Sequence, residues 1–139
     1  MTMKKYIDRS IFYAIIAMIA GVFYREFTKY MSFKGTTSLL RIHPHLFVLG
    51  MIMYLVIYLM SLSLNFDEND KIDKHLTFYN IGLILSAVMM FVRGLTEVLG
   101  SNLSNGAEAM ISGVTGLGHI ILGVSLILIL LDIKKLNRI

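Results

Sequence analysis

Four long apolar runs alternate with short polar segments along the chain, and they predict helices over about 10–30, 38–64, 75–99 and 109–131. A helix rising 1.5 Å per residue crosses a hydrocarbon layer of ~30 Å in roughly 20 residues, and each run reaches that length. The pattern therefore predicts an all-α integral membrane protein, a four-helix bundle forming one domain over 1–139. The first run closes on Tyr24-Arg25-Glu26-Phe27 with no small-residue cleavage site after a short apolar core, so it is expected to be a retained helix and not a signal peptide. Polarity inside the runs is ordered. On helix three, Tyr79, Gly82, Ser86, Met90, Arg93, Glu97 and Gly100 recur at spacings of three and four, which puts them on one side. Ser112, Gly116, His119 and Gly123 do the same on helix four, and Ala14, Ala17, Gly21, Arg25 and Thr28 on helix one. Small residues at that spacing let membrane helices approach closely, or else leave a smooth wall for a flat ligand.

Composition agrees with the pattern. Hydrophobic residues make up 56% of the 139 positions and charged ones 16%, and the mean hydropathy is +0.72, too apolar for a water-soluble domain of this size. Lys4, Lys5 and Arg9 precede helix one, Lys71 and Lys74 lie between helices two and three, and Lys134, Lys135 and Arg138 follow helix four. The opposite side carries Lys29, Lys34 and Arg41, and none in 101–108. The bias predicts both termini in the cytoplasm, with the polar stretch from Asn65 to Lys71 as a cytoplasmic turn. A net charge of +4 spread over helix ends suits anionic lipid and forms no stripe for nucleic acid. With no cysteine, disulfides, thiolate metal sites and cysteine nucleophiles are excluded. Four helices bury few of their own faces, so a homo-oligomer is expected.

The chemistry gathers at one depth. With the termini inside, Arg25 and Glu26, then Arg41, His43 and His45, then Arg93 and Glu97, and finally Glu108 and His119 all converge on the outer half of the membrane. Charges at the bilayer centre cost ~2.5 to 3.5 kcal/mol each on insertion scales, so such a layer pairs internally, snorkels to headgroups or meets a ligand. His43-Pro44-His45 is its most informative part. Each helical step turns about 100°, so residues i and i+2 project about 200° apart and the two imidazoles serve different sites. Only if the helix begins at His43, with Pro44 in its first turn, does a shared metal become possible. His75, beside Lys74, is expected to be an interfacial side chain.

The segment Arg41-Ile42-His43-Pro44-His45-Leu46-Phe47-Val48-Leu49-Gly50 resembles the His-x-His stretches, followed by an apolar run and glycine, of the haem-copper oxidase catalytic-subunit superfamily. The whole chain is similar to an uncharacterised family of small four-helix bacterial membrane proteins, which implies a multi-pass protein of the plasma membrane. The oxidase subunit has three arcs of four helices, and this chain resembles one arc. The resemblance implies a homotrimer binding haem b between protomers, with His43 of one and His45 of the next as iron ligands and His119 in reserve. Arg25, Arg41 and Arg93 would then neutralise the haem propionates, with Glu26 and Glu97 as supporting polar groups. No counterpart of the oxidase copper site is evident, although Tyr54 and Tyr58 lie further in.

The function expected from these features is electron transfer, or sensing or handling of a small gas; whether the protein is an enzyme, and its redox partner, stay open. Two other classes compete. One is a divalent-metal, zinc-like membrane site drawn from His43, His45, His119 and Glu97 or Glu108, although no closely spaced ligand motif such as HExxH occurs. The other is a small proton-coupled transporter using Glu26, Glu97 and Arg93. A structural helper of a larger complex is a further reading.

Overall fold

The computed structural model describes residues 3–64, 66 and 70–136. They form four helices running alternately up and down: α1 (Met3–Tyr30), α2 (Leu39–Ser61), α3 (Asp70–Leu99) and α4 (Asn105–Leu136). Much of the expected turn, Asn65 and Asp67 to Asn69, lies outside the described residues, as does Arg138. Both α3 and α4 extend past their apolar runs at each end or begin earlier, because hydropathy marks only the stretch that suits lipid while backbone hydrogen bonding continues into the flanking polar turns. Glu108, in the first turn of α4, also complements the helix dipole.

All four helices are long and apolar enough to cross a membrane, an arrangement compatible with a multi-pass membrane protein. Polarity is distributed accordingly. Ile11, Phe12, Ile15, Met18, Ile19 and Val22 on α1 are each more than half exposed, whereas Ser10, Ser86, Ser125 and Asp132 are buried. In water so much exposed apolar surface would drive aggregation; in lipid it is the ordinary exterior.

The helices pack as neighbours in a row, α1 along α2, α2 against α3 and α3 against α4, the last pair being the most extensive. The α3–α4 contact explains the small residues. A Cβ on Gly82 would stand 2.7 Å from the Leu122 backbone nitrogen, and one on Gly118 2.6 Å from Ser86 Oγ. The two backbones therefore touch where side chains are absent. By contrast Gly113, Gly116 and Gly123 have open space beside them, so the glycine that packs against α3 is Gly118 and not the two on the expected small-residue face.

At the end remote from the termini, α2 is clamped at its start. Ser38 donates from its backbone nitrogen to Glu97 Oε2 (2.6 Å) and from its hydroxyl to Glu97 Oε1 (3.0 Å), and Thr37 donates to the Gly94 carbonyl (3.0 Å). The helix thus starts at Leu39, which places Pro44 inside it. Proline has no N–H to give the carbonyl four residues back, and the next segment, Leu46–Ile52, is wound as a π-helix. Neighbouring helices answer its carbonyls: Tyr79 donates to Leu49 (2.7 Å) and Ser10 to Met51 (2.9 Å).

Deeper in the three-helix seam, Tyr13 stacks on Tyr54 with ring centres 5.7 Å apart, and Tyr54 meets Tyr79 edge-on at 6.4 Å. Tyr13 donates to Asn80 Oδ1, which also lies 3.4 Å from Tyr54 Oη, and Arg9 donates to Tyr54 at 3.3 Å. Among the described residues no buried side-chain nitrogen or oxygen lacks a partner.

Two changes test this packing through the thermal midpoint in mild detergent. Gly82→Ala is expected to destabilise by about 1–3 kcal/mol, since the added carbon meets backbone, while Gly116→Ala is expected to leave the midpoint unmoved. Asn80→Leu, which strips the acceptor from Tyr13, is expected to cost about 1–3 kcal/mol.

Candidate functional site

The early start of α2 decides how its histidines point. His43 turns toward α1, where its Nδ1 lies 2.7 Å from the Ala17 carbonyl, and a Cβ on Gly21 would come within 3.0 Å of that nitrogen. His45 turns the other way, toward α4. Its ring centre is 6.0 Å from that of His119, with the planes 83° apart. The two imidazoles of the motif thus serve different faces, and the shared metal that a helix starting at His43 would have allowed does not form between them.

Each of the three rings is held in the same manner. His45 Nδ1 lies 2.8 Å from the Arg41 carbonyl and His119 Nδ1 2.8 Å from the Thr115 carbonyl, both one turn back on their own helices. A carbonyl only accepts, so in all three residues Nδ1 carries the proton. In the neutral ring this leaves the Nε2 lone pair for another partner, the arrangement that orients metal-binding histidines. The ring centres of His45 and His119, 6.0 Å apart, bring two such imidazoles from α2 and α4 together.

Cations stand beyond this pair, toward the end of the molecule remote from the start of α1. Arg41 is four residues before His45 on the same side of α2 and is exposed. Arg93 donates to the hydroxyl of Ser112, which is seven residues before His119 on the same face of α4. The guanidinium anchor is therefore about 10 Å along α4 from His119. Gly116 and Gly123, with their open surroundings, flank the imidazole. On the opposite face of α2, His43 and Arg25 share a cleft with Met18, Gly21, Tyr24 and Leu40, and Arg25 lies 3.6 Å from Glu26 on an exposed surface.

The remaining expected residues fall elsewhere. Glu97 is committed to clamping Ser38 and does not reach the histidines. Among the described residues no group of three or more His, Asp or Glu side chains is placed to hold a metal ion. His75, expected to be an interfacial side chain bonded to backbone or Glu, pairs with Asp132 at 2.7 Å. Asp132 escaped notice because it lies one residue past the expected end of helix four; its equal depth with His75 on the antiparallel neighbour was the available signal. The seam of Tyr13, Tyr54 and Tyr79 around Asn80 is not legible in the sequence either, since three tyrosines on three helices have no common spacing.

The fold and this layer define a class: an all-helical protein with four candidate membrane spans and an imidazole–guanidinium face. Residues 3–136 match the family model described as a protein of unknown function (DUF2871), and the chain belongs to that family. No curated protein and no solved structure matches it, so the likeness to the haem-copper oxidase subunit gains no support from these comparisons.

Nitrogen-15 spectra of histidine-labelled protein in detergent check the ring assignments. His43, His45 and His119 are expected to show the Nδ1-protonated tautomer when neutral, and an Nε2–H signal from His45 or His119 would contradict the geometry.

Proposed function

We propose that this is a multi-pass membrane protein that binds a b-type haem through the α2–α4 face, for one-electron transfer or for handling a small gas. The observation that carries the reading is the His45–His119 pair, two imidazoles 6.0 Å apart with both Nδ1 atoms already tied to backbone. A porphyrin supplies four nitrogens itself, so two imidazoles suffice where a zinc-like site would want three or four protein ligands. Haem b also brings two carboxylates, and Arg41 and Arg93 lie on one side of the pair to meet them as charge-assisted partners. The open glycines beside His119 leave room for a flat ring. When bound, haem supplies a one-electron couple; ligation by both imidazoles favours electron transfer, and ligation by one leaves a position for a gas.

A second arrangement draws on the opposite face. His43 and Arg25 share a cleft on the far side of α2 from His45, so a homotrimer in which His43 of one protomer and His45 of the next hold the haem uses both faces. The lysine and arginine bias supports both termini on the cytoplasmic side in either case.

The absorption spectrum of the full chain, purified after expression with ample haem, tests the reading. A Soret band is expected; its absence overturns haem binding. Loss of the band in His45→Ala and His119→Ala with His43→Ala unaffected selects the pair within one protomer. Loss in His43→Ala and His45→Ala with His119→Ala unaffected, together with a trimeric mass in detergent, selects the shared site.

A further inference from the structure

At the end of the molecule where both termini lie, far from the layer just described, α3 and α4 hold an acid–imidazole dyad that the haem reading does not use. Asp132 is only 5% exposed, and its Oδ2 accepts from His75 Nδ1 at 2.7 Å while Lys135 approaches Oδ1 at 4.0 Å. A buried carboxylate fixes the proton of a neutral imidazole on the nitrogen that faces it. In the neutral ring, Nε2 of His75 is thereby left as an acceptor. The ring stands at the mouth of a groove of about 370 Å³ between α3 and α4, walled by Phe78, Ile121, Val124 and Leu128, with His75 and Ser125 as its polar members.

We infer that this groove binds a membrane quinol, its phenolic hydroxyl donating to Nε2 of His75, its ring against Phe78 and its isoprenoid tail along the apolar wall. Hydrogen-bond polarity selects the class. A lipid phosphate is itself an acceptor and so is mismatched to the Nε2 lone pair of the neutral ring, whereas a hydroxyl donor is complementary to it. An apolar wall with one polar end also matches the usual build of small-molecule sites. His75 is the fifth residue after the start of α3 at Asp70 and Asp132 lies four before the end of α4 at Leu136, which sets the headgroup near the helix ends and the tail among the apolar turns. That the quinol then serves as electron donor rests on the haem reading; its binding does not.

The test uses haem-free full-length protein in phosphatidylcholine nanodiscs, titrated with a decyl-chain benzoquinol kept reduced, and read by calorimetry and by the nitrogen-15 shift of His75 Nε2. Saturable binding of one quinol per chain with a shift at His75 is expected. His75→Gln and the groove-filling Val124→Trp, each checked for unchanged helicity and thermal midpoint, are expected to weaken it at least tenfold, as is replacing the probe by its dimethyl ether. Equal uptake by all variants, equal binding of the ether, or a His75 shift produced by anionic phospholipid and not by the quinol overturns the inference. Because no haem is present, a failure here leaves the Soret result untouched, and a missing Soret band leaves this result standing.

Discussion

Everything in this fold depends on polar groups inside the helix row satisfying one another, because its exterior is apolar and offers them nothing. Helices surrounded by hydrocarbon gain little from burying more hydrocarbon, so contact rests on close packing and hydrogen bonds. The molecule uses both. Gly82 and Gly118 bring two backbones together, and the seam of Arg9, Tyr54, Asn80 and Tyr13 ties α1, α2 and α3. Removing a member of that seam exposes no group to water; it strands one in an apolar interior, which is the costlier outcome.

The same constraint explains the shape of α2. Its start is set by Glu97 reaching across from α3 to Ser38, and that start pushes Pro44 into the helix interior. The π-wound segment that follows needs outside donors, and Tyr79 and Ser10 supply them. π-segments are often found beside functional positions, and here one directly follows the His-x-His motif. The clamp, the proline and the π-segment together aim one imidazole at α1 and the other at α4. A structural carboxylate at the far end of a different helix therefore controls which faces the candidate ligands occupy.

The two ends of the molecule have different chemistry. One end gathers His45, His119, Arg41 and Arg93, rings with free Nε2 atoms beside cations suited to an anionic, flat ligand. The other gathers His75 and Asp132, a ring made into an acceptor by a buried acid and suited to a neutral donor. Both depend on the same device, a fixed Nδ1 proton, yet its partner is a backbone carbonyl in the first case and a carboxylate in the second. The proposed ligands differ because arginines stand beside the first pair and a carboxylate beside His75.

The order and number of the helices, and the division of His43 from His45 onto separate faces, could be read from the sequence, because hydropathy and a 100° step are local properties of the chain. That His119 stands level with His45 followed equally from span counting. What only the tertiary structure decided was partnership. His45 beside His119, Asp132 on His75, Glu97 on Ser38 and Asn80 between two tyrosines each join residues that are far apart in sequence, and nothing local in either helix specifies the rotation or offset of the other. The glycines make the point within one helix: Gly116 and Gly123 were expected on the small-residue face of α4, yet the glycine pressed against α3 is Gly118, because helix rotation is set by the surface that a neighbour presents.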